Sequence, residues 1–159
     1  MKWALLVSAL TLVAIGATGC GGGGGDKRLS KSDYEAQIGA IFRQLQGKTL
    51  PTVLAMSPAD PERAVRRLKS AEKTLHEEAA KLAEMRPPAD ATGPTSELAS
   101  AFRQIADKVT AARKAAESGN FLRLEQFKAR ISSDPAVGQV RDAVVQLVNL
   151  GYEITGGGP

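Results

Sequence analysis

The chain has 159 residues, a formal net charge of +4, 43% hydrophobic and 24% charged residues, one cysteine and one histidine. That length suits a single domain. One cysteine excludes an internal disulfide, and so mild a basic excess does not point to nucleic acid.

The chain opens on Lys2, an apolar run over residues 3–17, and three small residues, Ala17, Thr18 and Gly19, ahead of Cys20; glycines fill 21–25. The run of about 15 residues is shorter than the roughly 20 that cross a bilayer. A plain secretory signal shares the charge, the apolar core and the small residues. It does not require a cysteine at the junction. A buried structural cysteine needs apolar neighbours, and five glycines supply none. The leader resembles a bacterial lipoprotein signal, with Ala17 where the usual motif has leucine. The resemblance implies cleavage before Cys20 and a diacylglyceryl thioether on its sulfur, so that palmitate-like chains hold the protein in the bilayer. Cleavage also removes Lys2 and the sole tryptophan, Trp3, leaving a net charge of about +3. The expected organisation is a signal peptide over 1–19, lipidated Cys20 with a flexible glycine-rich tether over 20–30, a helical domain over 31–152, and a disordered tail over 153–159. A ten-residue tether of this type has an r.m.s. reach of roughly 16–19 Å.

The first helix is expected to start at Ser32-Asp33-Tyr34-Glu35, a capping box in which Ser32 and Glu35 satisfy free backbone N–H groups. Tyr34, Ile38, Ile41, Phe42 and Leu45 follow at spacings of three and four and mark one apolar face. Gly47 loosens this helix and Pro51 kinks or ends it; residues 52–56 fit either a loop or a short resumed helix. Asp60-Pro61 is a sharp start, with aspartate as cap and proline in the first turn. Val65, Leu68, Ala71, Leu75, Ala79, Leu82 and Met85 trace the second stripe, which Pro87-Pro88 stops.

A third helix is expected from Pro94 or Thr95, with Leu98, Phe102, Ile105, Val109, Ala112 and Ala116 inward and an end at Gly119. Its length matches that of the second helix, so the two should form an antiparallel hairpin, drawn close by alanines. Asn120 caps a short fourth helix with Phe121, Leu124, Phe127 and Ile131 inward. Asp134-Pro135 opens a fifth, carrying Val137, Val140, Val144, Leu147 and Val148 and stopping at Gly151. Its β-branched run could suggest a strand, but no alternating segment could pair with it. The expected fold is all-α: a small antiparallel bundle of four to five helices.

Chemistry-bearing clusters are sparse. His76 lies one turn from Glu72, a pairing that could hold a divalent ion only weakly, without further ligands. No serine sits in a strained Gly-x-Ser-x-Gly turn. Glu72, Glu77 and Glu78 alternate with Lys69, Lys73 and Lys81, the pattern of a solvated, ion-paired face. The glycine run precedes no strand and lacks the lysine-serine pair of a phosphate loop. Arg63, Arg66, Arg67 and Lys69 form the densest basic cluster, a helix exterior or a contact for an anionic polymer or lipid. No catalytic, cofactor or metal residue is assigned, and Cys20 is the one site residue, as the point of lipidation.

Gly19-Cys20 with its glycines, Leu29-Ser30-Lys31-Ser32-Asp33-Tyr34, Arg86-Pro87-Pro88-Ala89-Asp90 and Leu150-Gly151-Tyr152 are also similar to pieces of uncharacterised lipoproteins of high-GC Gram-positive bacteria. The resemblance implies an all-helical extracytoplasmic domain anchored to the cell membrane, without an agreed activity. Many of those proteins carry a cysteine in the first helix; here Gly39-Ala40-Ile41-Phe42 has none. The expected role is a non-catalytic interaction or envelope-associated module whose partners are the bilayer, through Cys20, and an envelope protein or anionic polymer, not nucleic acid. The alternative is a carrier of a small apolar ligand in a slot near Phe102, Phe121 and Phe127. An envelope enzyme is the third reading.

Overall fold

The computed structural model describes residues 27–57 and 59–154. The leader, Cys20, residues 21–26 and residues 155–159 lie outside the described residues. Six α-helices run in order: α1 (Lys31–Gln44), α2 (Leu50–Leu54), α3 (Pro61–Glu84), α4 (Thr92–Glu117), α5 (Phe121–Arg130) and α6 (Pro135–Asn149). No strand occurs among the described residues, so the fold is the expected all-α bundle.

The cap of helix α1 lies two residues earlier than anticipated. Ser30, not Ser32, is the N-cap: its Oγ accepts from the Asp33 N–H at 3.2 Å and donates to the Asp33 carboxylate at 2.6 Å. Half of a capping box is thus formed, since the Asp33 carboxylate takes the Ser30 hydroxyl proton rather than the Ser30 backbone N–H. Leu29 upstream is fixed by its N–H to the Arg86 carbonyl (2.7 Å) and packs against the core, which sets the entry of the chain. The inward face is as expected, with Tyr34, Ile38, Ile41, Phe42 and Leu45 all buried.

Pro51 does not end the helical path. A π-turn over Leu45–Thr49 precedes it, in which the Leu50 N–H reaches back five residues to the Leu45 carbonyl. The wider turn takes up one residue just before the proline, whose ring nitrogen cannot donate. Gly47 lies in that turn with open space around it. Helix α2 then carries Val53 inward before the chain leaves toward Asp60.

Helices α3 and α4 form the principal interface, an antiparallel hairpin turned by Pro87, Pro88 and a 3-10 turn at Ala89–Ala91. Asp60 caps α3 by accepting from Arg63 N–H at 3.0 Å, with Pro61 in the first turn. Helix α4 starts at Thr92, earlier than expected, because the 3-10 turn leads directly into it. Leu68, Ala71, Leu75, Ala79 and Leu82 of α3 and Leu98, Phe102, Ala106, Val109 and Ala112 of α4 are buried. Each buried leucine of this ladder stabilises the fold by about 1.5–3 kcal/mol; the alanines let the two backbones approach. Helices α5 and α6 pack on the other side of α4. Helix α1 reaches α4 through larger side chains, with Phe42 edge-on to Phe102 at 6.1 Å between ring centres.

Two ends close alike. Gly119 (φ +71°) follows α4 and Gly151 (φ +84°) follows α6. In each case the next residue donates to a carbonyl five back: Asn120 to Ala115 at 2.8 Å and Tyr152 to Leu147 at 3.0 Å. This is the Schellman closure, which requires the left-handed conformation that glycine adopts at least cost. Asn120 caps α5 by accepting from Arg123 N–H, and Asp134 caps α6 by accepting from Ala136 N–H.

The buried face of α6 keeps Val144 and Leu147 as expected but not Val148. Ala136, Ala143, Val144 and Leu147 are buried, whereas Val148 is 53% exposed and Val145 is exposed beside it. Val140 packs against the core beside Val144 and Leu147, so only Val145 and Val148 turn outward.

Bonded residues also extend past both ends of the expected helical span. Arg28 and Leu29, assigned to the tether, are held at the α3–α4 turn, Arg28 Nη1 donating to Pro87 O and Thr92 Oγ1 at 3.1 Å each. Glu153 and Ile154, assigned to the disordered tail, are held too. The Glu153 N–H donates to Glu35 at 2.8 Å and Ile154 packs against the core.

Candidate functional site

One pole of the bundle gathers the start of α1, the α3–α4 turn and the residues after α6. Tyr34 is fully buried there, its hydroxyl 2.8 Å from Thr95 Oγ1. Thr95 donates its own proton to the Ala91 carbonyl at 2.6 Å, so Tyr34 is the donor to Thr95. Tyr152 stands edge-on to Tyr34 at 5.2 Å and donates to Asp90 at 2.7 Å. Burial, then the hydrogen bond to Asp90, pushes the Tyr152 phenol up to about 12. Lys31 lies over the same ring, 5.5 Å from its centre. With Arg28 and Leu29 bound beside it, this clasp is where the chain arriving from Cys20 meets the folded domain.

The sequence-level candidates separate. His76 is exposed on α3. Glu72, its neighbour one turn away, does not face an ion with it. Its two oxygens accept from Thr110 Oγ1 (2.8 Å) and Arg113 Nε (2.6 Å) of α4, and Arg113 also pairs with Glu117. The Arg113 hydrogen bond, helped by Thr110 and opposed by burial, holds the Glu72 carboxyl below its ordinary value. Among the described residues no three His, Cys, Asp or Glu side chains are grouped to hold a metal ion. In the basic cluster Arg63 pairs with Asp60, Arg66 with Glu62, and Arg67 donates to the Ala55 carbonyl. Much of its charge is thus spent within the fold.

Glu78 corrects the expectation of a solvated face. Lys73 and Glu77 do pair at the surface, but Glu78 is only 1% exposed. Lys81 Nζ donates to its Oε1 at 2.7 Å, while its buried Oε2 has no hydrogen-bond partner. The residue lines a cleft of about 400 Å3 between α1 and the end of α3, together with Gln37, Ile41, Gln44, Lys81 and Met85. The signal was present: Glu78 falls between Leu75 and Leu82 at spacings of three and four, on the apolar stripe itself.

A second groove, of about 350 Å3, lies between α4 and α5. Ala111, Ala115 and Phe127 line it, with Arg123 and Arg130 at its rim and Lys108 beside Asp134. Burial alone would raise Asp134, but the Lys108 ammonium and the Ala136 N–H outweigh it and leave the carboxyl lowered. Neither opening gathers Phe102, Phe121 and Phe127 together.

Fold and openings define the chain as a small all-α bundle with a two-tyrosine clasp at one pole. Comparison with protein-family models, with curated proteins and with solved structures gives no match.

Proposed function

We propose that this protein is a lipoprotein anchored to the extracytoplasmic face of the cell membrane through Cys20, its helical domain acting as a non-catalytic module that binds an envelope partner. The observation that carries this reading is the leader: charge, short apolar run, small residues and Cys20 in that order, then glycines. The fold is compatible with it. The bonded domain begins at Arg28, eight residues past Cys20, and that interval spans roughly 14–17 Å r.m.s. as a glycine-rich chain. Among the described residues no helix is long and apolar enough to cross a membrane, so attachment in this reading rests on the acyl chains, at about 0.8 kcal/mol per buried CH₂.

Intact-mass analysis of the membrane-extracted protein tests it. The expected product starts at Cys20, carries a diacylglyceryl adduct and lacks tryptophan absorbance. A Cys20→Ala chain should leave the membrane fraction or stay uncleaved. A full-length product with a free thiol removes the proposal.

A second reading, a carrier of a small apolar ligand, is favoured by the α4–α5 groove. Its alanine and phenylalanine lining with Arg123 and Arg130 at the rim suits an acidic amphiphile rather than a neutral one. Co-purification of such an acid, lost on replacing both arginines with glutamine, is the result that would promote it.

A further inference from the structure

Burying a carboxylate is costly unless both oxygens are engaged, and an orphaned buried acceptor forfeits about 1–3 kcal/mol of hydration. Glu78 is such a group: Oε1 is bound by Lys81, and Oε2 is unpartnered. Apolar side chains could fill its place on the stripe, so the burial of a charge there calls for a separate explanation.

The surroundings supply one. The cleft beside Glu78 has apolar walls from Ala40, Ile41 and Met85, and amide groups from Gln37 and Gln44, about two turns apart on one face of α1. Its charged groups are Glu78, Glu84 and Lys81, two negative and one positive. Lys81 forms the outer cover. Its side chain is 58% exposed, against 1% for Glu78, so the ammonium sits nearer solvent than the carboxylate it binds. A ligand suited to this cleft carries a positive charge, donates a hydrogen bond, and has a short apolar portion. An anion would meet two carboxylates, and a bare metal ion would find no third grouped ligand among the described residues.

We infer that the α1–α3 cleft is a binding site for a small primary ammonium ion, whose N–H groups engage Glu78 Oε2 while its alkyl part lies along Ala40, Ile41 and Met85. Lys81 stays bound to Oε1, and its charge opposes the entering cation. Charge-assisted N–H to carboxylate bonds are about twice as strong as neutral ones, which favours a cationic N–H donor over a neutral one. The site does not depend on how the chain is attached to the membrane.

The test uses the full protein extracted in a non-ionic detergent, 15N-labelled, with backbone amides followed by NMR. Three salts are compared at equal ionic strength: n-butylammonium, tetramethylammonium and sodium chloride. Tetramethylammonium has charge and apolar bulk but no N–H donor. Expected are saturable shifts at 37–44 and 78–85 with butylammonium alone, weakened at least tenfold in Glu78→Gln. Lys81→Met, which removes the competing internal cation, should tighten binding several-fold. The two variants are independent arms, so a Glu78→Gln chain that failed to fold would leave Lys81→Met to decide. Equal responses to all three salts, wild-type affinity in a folded Glu78→Gln, or unchanged affinity in Lys81→Met would each overturn the assignment.

Discussion

Tyr34 and Thr95 allow a prediction with a built-in asymmetry. Tyr34→Phe keeps the buried ring, and with it the edge contact to Tyr152. It removes the hydroxyl that donates to Thr95 at 2.8 Å. Thr95 keeps its bond to the Ala91 carbonyl, so only an acceptor lone pair is emptied. The cost should be about 1 kcal/mol, the net value of an ordinary hydrogen bond. Thr95→Val does more. It deletes both bonds and strands the Tyr34 hydroxyl, fully buried, with no acceptor. That should cost about 2–3 kcal/mol. In the double variant no hydroxyl is stranded, so its cost should fall short of the sum by about 1 kcal/mol. Urea unfolding followed by circular dichroism gives all four corners of the cycle. A domain of this size should lose roughly 3–6 °C in Tm per kcal/mol. If the two single changes cost the same, or the cycle closes additively within about 0.3 kcal/mol, the assignment of Tyr34 as donor is wrong.

Other expectations follow from the same contacts. Glu72 is held below its ordinary 4.5 in the folded chain. Its contribution is therefore complete above the unfolded value and is lost as pH falls through the folded one. Replacing Arg113 with methionine should flatten that acid limb of the stability curve, and an unchanged limb would refute the link. At the alkaline end Tyr152 ionises near 12 rather than 10. Its stabilising contribution should be whole below 10 and disappear as pH rises through 12, visible as delayed tyrosinate absorbance at 295 nm; ionisation at 10 with the fold intact would contradict the clasp. Gly119→Ala and Gly151→Ala should each cost about 1–2 kcal/mol from backbone conformation alone, since an added methyl meets nothing at Gly119 and only Lys31 Nζ at 3.9 Å at Gly151. Thermal melts check this, and a neutral result at either site would remove the positive-φ argument there.

Local signals in the chain were mostly sufficient for the fold. Asp60-Pro61, Asn120, Asp134-Pro135, Gly119 and Gly151 mark helix ends because each acts on backbone within a few residues. The stripes of α3 and α4 were readable for the same reason, their period being set by one helix. What failed depends on a second element. Val148 is more apolar than Ala143, yet Ala143 faces α4 because the space there is small. The π-turn before Pro51 reflects a bargain between a missing donor and the burial of Leu45 and Val53. Glu72 finds Arg113 and Thr110 on another helix, and no spacing within α3 announces that partner. Glu78 was legible by position but not by type, since a charged residue on an apolar stripe looks like surface until the stripe is seen to be covered.

The clasp has a geometric consequence. The residues entering at Arg28 and those leaving at Ile154 depart from the same end of the bundle, while the Gly119 turn lies at the other, one α3 length away, about 36 Å at 1.5 Å per residue. A fluorophore attached at Ile154 would therefore sit at the pole where Arg28 enters, and one at Gly119 would sample the opposite horizon. Under the proposed anchoring, distances from each label to a lipid dye would give the molecule's stance directly.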